Sequence, residues 1–386
     1  MKIIVFGYIV RGPMGGMTWH HLQYVLGLKA LGFKVYYFED SGDSEFCCYN
    51  PKTGINSTDP RYGLRYAGKI FKRFGLDKDW AYYDAHTKCW HGPLKNRKRQ
   101  IFKSVEMMLN LSCSNDIRDW TQDISIKVLV DTDPVFTQIR NLKDSLRRKL
   151  STKHNRFFTY GENFMNTNCS IPDDGIKWLP TRQPVVMDFW PVYPGPQNGN
   201  FTTVMQWQSY TALTYKNQLF GVKDQSFMDF LELPKRVDGV FEIALGSPSA
   251  PRNWLKAHGW HLSDPFTVTS TPLKYRLFIK NSKAEFSVSK HAYVISKSGW
   301  FSERSAVYLA SGRPVLVQDT GFSEIIETGM GLISFSKLEE AIEGVNAITN
   351  KYKIHSKYAR DIAERFFDSR LVLKSLIERA MRSDTW

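Results

Sequence analysis

A chain of 386 residues is long enough for two or three domains, each burying its own core, and a hydrophobic content of 42% separates it from disordered chains. The net charge of +14 points to a polyanionic partner: nucleic acid, an anionic membrane surface or a phosphorylated ligand. Five cysteines, with no C-x-x-C pair, give no support to a disulfide framework or a zinc cluster and fit a reducing cytoplasm, and no run reaches the ~20 apolar residues of a membrane-spanning helix.

Residues 2–8 read as a buried first strand. A loop with Gly12, Gly15 and Gly16 follows, then an amphipathic helix over residues 18–31 that Gly32 ends, then a second strand over residues 33–38. This strand–loop–helix–strand start is Rossmann-like. It lacks G-x-G-x-x-G, and Pro13-Met14 stands where a P-loop needs Lys-Ser/Thr, so neither a dehydrogenase nor an NTPase is supported. His20 and His21 fall in the first turn of the helix, where an imidazole is suited to take a proton near neutral pH.

Between residues 61 and 103 twelve Lys or Arg face three acids, with nine Tyr, Phe or Trp interleaved. Cations for phosphates and flat rings for bases are what a nucleic-acid surface uses, and Arg73, Arg97, Lys98, Arg99 and Lys103 are the candidates to hold a DNA backbone. The same pattern also suits a solvated face over an aromatic core, or a patch in peripheral contact with a membrane. A strand over residues 126–130 ends at Asp131-Thr132-Asp133, two carboxylates able to act as base or bind a sugar. The triplet spells D-x-D, a weak pointer to a divalent metal. Strands are expected over residues 156–160 and 185–189.

Residues 191–200, with three Pro and two Gly, form the best linker in the chain, and residues 201–207 restart a sheet. We expect a first domain over 1–193 with a basic aromatic insertion at 61–103, a linker at 194–200, a second domain over 201–365, and a helix at 366–386. Lys223 precedes a short helix. Residues 286–322 then read as strand, loop, helix, strand and loop. Ser302 is a good N-cap, Gly312 and Pro314 stop the helix, residues 314–318 form a buried strand, and Asp319-Thr320-Gly321 falls at its carboxyl end, where open α/β sheets bind ligands.

This stretch resembles the donor-binding motif of GT-B glycosyltransferases, in which a small-residue–Gly–x–Pro turn ends a helix and leads into an apolar strand. Arg304, eight residues before Gly312, matches an Arg of several branches, including phage DNA glucosyltransferases, while Val307 replaces the family's Glu. The resemblance implies two Rossmann-like domains facing each other across a cleft, with the tail returning to the first. It implies a nucleotide-sugar donor, UDP-glucose or similar, with Lys223, Lys290 and Arg304 on its diphosphate, Ser302 and Ser305 as hydrogen-bonding partners, and Gly16 and Trp207 nearby. Asp319, Gly321 and Phe322 would line the sugar side, and no structural metal is needed. The base would be His20, Asp131 or Asp133. The acceptor would be a hydroxyl, in the favoured reading that of 5-hydroxymethylcytosine in double-stranded DNA, as in phage glycosyltransferases associated with oxidised pyrimidines. A lipid, polysaccharide or small-molecule acceptor, or a non-catalytic DNA-binding protein on the same scaffold, are the alternatives.

Overall fold

The computed structural model describes residues 1–382. Two sheets organise it. The first has eight strands in the spatial order Leu179–Pro180, Arg156–Thr159, Ile126–Asp131, Met107–Leu111, Lys2–Phe6, Lys34–Asp40, Trp80–Asp84 and Cys89–His91, all parallel except the last. The second has six parallel strands in the order His261–Ser263, Phe241–Gly246, Phe201–Gln206, Ala284–Ser287, Val315–Gln318 and Leu332–Phe335. Helices join most successive parallel strands of both sheets. The central strands are buried along almost their whole length, as parallel strands covered on both faces must be.

The helix Gly15–Ala30 starts three residues earlier than its apolar pattern predicts, and Gly15 is a point of close approach between the domains. A Cβ there would lie 2.3 Å from the Thr271 carbonyl oxygen. Trp19 continues the contact by donating its indole N–H to the Pro272 carbonyl at 2.9 Å. The stretch built on Ser302 forms as its local chemistry requires. Ser302 Oγ accepts from the Arg304 amide, the helix runs over Glu303–Ala310, and Gly312 takes a φ of +65° before the strand Val315–Gln318.

Two expectations need correction. Residues 61–103 are not an insertion. Their helix Arg61–Arg73 and strand Trp80–Asp84 belong to the first Rossmann sheet, with Tyr66, Phe71, Trp80, Tyr82 and Phe102 in the core. The expected strand at 185–189 is a single bridge, Val185 to Asp368, followed by a turn of 3-10 helix at Met187–Phe189. Pro184 withholds an amide from any ladder there, and Leu179–Pro180 forms the sheet edge instead. The expected closing helix runs over Ser369–Met381, separated from the helix Tyr352–Phe366 where the Asp368 carboxylate caps it by accepting from the Arg370 amide at 2.9 Å. The helix Ser369–Met381 packs on Gly15–Ala30 through Leu373 and Ser369, which meet Gly27. The last four positions of the expected 366–386 helix lie outside the described residues.

His154 is sealed inside the first domain. Its Nδ1 donates to the Ser151 carbonyl, and its Nε2 accepts from Asn110 Nδ2 at 3.0 Å. Burial lowers its pKa to about 4. A His near 6.5 when unfolded and depressed when folded adds stability above pH 6.5 that is lost as pH falls through the folded value. We therefore expect urea unfolding to lose about 3 kcal/mol between pH 6.5 and 4 from this residue alone, at ~1.4 kcal/mol per pKa unit. His154→Gln, which keeps an amide against Asn110 and does not titrate, should flatten that slope.

Candidate active site

The carboxyl ends of the two sheets face each other across a cleft of about 1240 Å³. Tyr8, Arg11 and Tyr49 line it from the first domain, and Gln206, Tyr210 and Ser247 from the second. Among the described residues no group of three or more His, Cys, Asp or Glu side chains is arranged to hold a metal ion, and no helix is long and apolar enough to cross a membrane.

Three cations of the second domain gather beneath this cleft, and the structure treats them differently. Arg304 is consumed. It donates to the Glu285 carboxylate, to the Val204 carbonyl at 2.8 Å and to Ser287 Oγ, so its charge is paired with a carboxylate that has no solvent exposure. Lys290 reaches across the domain boundary. Its Nζ lies 2.7 Å from Asp133 Oδ1 and 3.1 Å from the Tyr293 hydroxyl, and it also bonds the Tyr210 hydroxyl. Lys223 is buried and forms no ion pair or side-chain hydrogen bond among the described residues, while Val222 and Asp224 on either side of it line the cleft. Burial and then the Arg304 charge push the Lys223 ammonium well below its usual range, with Glu285 and Glu303 acting against that and Lys290 adding to it.

The helix Glu303–Ala310 opens beside these cations. Ser302 caps it, and Ser305 Oγ is buried with no partner among the described residues. The turn Asp319 to Phe322, expected on the sugar side of a donor, packs elsewhere. Asp319 accepts from the Gly321 amide at 2.9 Å and from Ser323. The Gly321 carbonyl accepts from Asn163 of the first domain at 3.0 Å, and Phe322 is buried against Phe301. Trp207 is buried against Phe227. Gly16 faces the Tyr275 ring, which a Cβ would meet at 3.5 Å.

The three candidate bases also differ. Asp131 is enclosed by its own domain. It accepts from Thr137 Oγ1 at 2.6 Å, Thr159 Oγ1 at 2.8 Å, Gln138 Nε2 at 3.1 Å and the Asp133 amide at 2.9 Å, so although burial raises its pKa it has no free face. Asp133 accepts from Lys290, Tyr210 and Tyr293, with Arg140 at 3.5 Å. Burial raises its carboxyl, but Lys290 and these donors more than offset that and hold it below the usual carboxylate range. Both therefore depart from the geometry expected of a base. His20 fits it better. Its Nε2 is buried with no partner among the described residues, in a recess of about 20 Å³ bounded by Tyr160, Gln183 and Tyr275, with Glu303 facing it from the second domain. Burial lowers its pKa and Glu303 acts against that, so the imidazole is neutral at pH 7. His21 is a structural residue, bonded to the Met17 carbonyl and accepting from the Tyr8 amide.

Sequence reasoning missed Glu303 and Glu285. The signal for Glu303 was its place directly after the N-cap Ser302. No local signal marks Glu285 as the partner of Arg304, because nineteen residues and a loop separate them. The candidate DNA-binding residues lie apart from the cleft: Arg97, Lys98, Arg99 and Lys103 are on or beside the helix Lys98–Ser104, where Lys98 donates to the Lys95 carbonyl at 2.6 Å and sits over Trp90, and Arg73 is exposed near Arg276.

No protein-family model matches this chain, and no curated protein sequence does. Solved structures do. An alpha-glucosyltransferase in complex with UDP-glucose and DNA containing an abasic site aligns over 99% of this chain and 100% of its own, with a TM-score of 0.60 at 11% identity. AviGT4, a glycosyltransferase involved in avilamycin A biosynthesis, aligns over 99% and 97% with a TM-score of 0.54 at 10% identity. Sucrose-phosphate synthase from Thermosynechococcus elongatus aligns over 98% of both chains with a TM-score of 0.52 at 9% identity. The fold is GT-B throughout the chain.

The unequal pairing of the cations makes a direct prediction. Arg304→Ala leaves Glu285 buried without its counter-charge and should lower the unfolding free energy by about 3–5 kcal/mol. Lys223→Met removes a buried amine that nothing pairs and should raise stability at pH 7. The folded amine titrates below the unfolded one, so that gain should shrink as pH rises toward 10. Urea titrations of the two variants check both signs.

Proposed function

We propose that this protein is a glycosyltransferase that moves a hexose from a nucleotide-sugar, UDP-glucose or a close analogue, to the hydroxyl of a hydroxymethylated pyrimidine in double-stranded DNA. The observation that carries the donor half is the unpaired Lys223 beside the capped start of Glu303–Ala310, beneath a cleft of about 1240 Å³. A diphosphate supplies the anion this amine lacks, and Ser305 Oγ gives a further donor. Lys290 joins by exchanging Asp133 for a phosphate oxygen. The acceptor half rests on the chain's charge of +14 and on the fold it shares with a glucosyltransferase solved with DNA.

In the reaction the acceptor O–H gives its proton to His20 Nε2, and the oxygen forms a bond to the anomeric carbon. The bond from that carbon to the diphosphate breaks, and the nucleoside diphosphate leaves with the electron pair. Lys223 and Lys290 meet the charge that develops on it, worth several kcal/mol in a site closed to water. Tyr8 stays a protonated donor in the cleft, since burial and Glu303 raise its hydroxyl to about 12. Asp131 and Asp133 order the strand end and the domain boundary instead of moving the proton.

Incubation with radiolabelled UDP-sugar and matched duplexes that differ only in hydroxymethylation should label the modified duplex alone, because cytosine has no hydroxyl at C5. Label that enters lipid or oligosaccharide and never DNA would move the acceptor to the alternative class. Lys223→Ala should weaken UDP binding by about tenfold or more by calorimetry, the loss of one charge-assisted hydrogen bond of ~1.5–3 kcal/mol. His20→Ala should lower turnover by roughly 10²–10⁴-fold with donor affinity little changed. The acid limb of kcat/KM in the intact enzyme should lie below pH 6.5, the side to which burial moves His20.

A further inference from the structure

A second groove, of about 490 Å³, runs beside the cleft between the helix Arg61–Arg73 and the segment 266–271 of the second domain. Phe266 lines both recesses, and the hairpin of Cys48–Asn50 and Ile55–Ser57 walls them apart, with Pro51 and Gly54 on the cleft side and Asn50, Lys52 and Thr53 on the groove side. A chain leaving the cleft past Phe266 therefore enters this groove. Its lining contains Lys52, Arg65 and Lys69 and no acidic residue, and these three exposed cations form no ion pair among the described residues. Tyr62 lies along the same wall.

The spacing of the charges is informative. Arg61, Arg65 and Lys69 recur every fourth residue on one exposed face, while Tyr66, Ile70 and Phe71 hold the helix to its core. At 1.5 Å rise per residue that row covers about 12 Å. Along the duplex axis one strand carries a phosphate every ~3.4 Å, so a row of that length meets at least two of them. Arg61 is tied to Asp59, but that pair is largely in solvent and is weak enough to be given up. By contrast, the run Arg97 to Arg99 is on a different helix and lines neither recess.

We propose that this groove is the track for the acceptor's sugar–phosphate backbone, with Lys52, Arg65 and Lys69 on successive phosphates, and that the denser run at Arg97–Lys98–Arg99 is not. The inference rests on the DNA-acceptor reading. A recess walled by two domains fits a strand and not a flat bilayer.

The test measures the affinity of the whole protein for a hydroxymethylated duplex as a function of salt. The Lys52→Ala/Arg65→Ala/Lys69→Ala variant should make the slope of log K against log salt shallower by about 2–3, at ~0.9 for each phosphate no longer neutralised, while binding UDP as the intact protein does. Arg65→Lys with Lys69→Arg should keep the slope. A groove variant with the slope of the intact protein, or one flattened no more than that of the Arg97→Ala/Lys98→Ala/Arg99→Ala variant, would overturn the groove and leave the acceptor reading standing. An intact protein that binds no duplex at any salt, or binds phosphatidylserine vesicles in its place, overturns the acceptor reading and the groove together.

Discussion

Three cations share two paired carboxylates beneath the interdomain cleft, and the rest of the site follows from that inequality. Arg304 has Glu285 and Lys290 has Asp133, while Lys223 forms no ion pair among the described residues and feels Glu285 and Glu303 only from beyond contact. A buried charge without a counter-charge works against folding, which is why such groups are rare away from sites that use them. Here Arg304 and Lys290 depress its protonation while Glu285 and Glu303 act against them. Lys223 is thus the one of these three cations left without an ion pair among the described residues.

The same arrangement ties the domains together. Asp133 comes from the first sheet, and Lys290, Tyr210 and Tyr293 from the second, so the ion pair sits on the boundary with three aromatic rings around it: Lys290 Nζ is 4.4 Å from the Tyr210 ring centre and 5.1 Å from those of Phe136 and Tyr293. Trp300 adds a bond to the Thr132 carbonyl, and Gln183 bonds the Phe301 carbonyl. The contact that holds Lys290 in place is therefore also a contact between the domains.

What the sequence made legible was local. The Ser302 cap, the Gly312 turn and the strand Val315–Gln318 depend on residues within a few positions of one another, and they form where the chain chemistry puts them. The site electrostatics are non-local. That Arg304 is spent on Glu285 while Lys223 is left over depends on how separate strands and loops meet, and nothing near either residue states it. Residues 61–103 show a third case. Rings interleaved with charges are what a stacking surface needs, and also what a helix and strand with one buried face produce. Tyr66, Phe71 and Trp80 turned inward because apolar area stabilises the core more than it serves solvent.

Glu303 connects the two halves of the chemistry. It stands exposed at the start of its helix, where the aligned amides favour a negative charge, and it is close enough to act on both His20 and Lys223. For His20 the effect is to stabilise the imidazolium formed when a proton arrives, against a burial that keeps the resting ring neutral. The same carboxylate acts in the same direction on Lys223, favouring its ammonium against burial and the Arg304 charge.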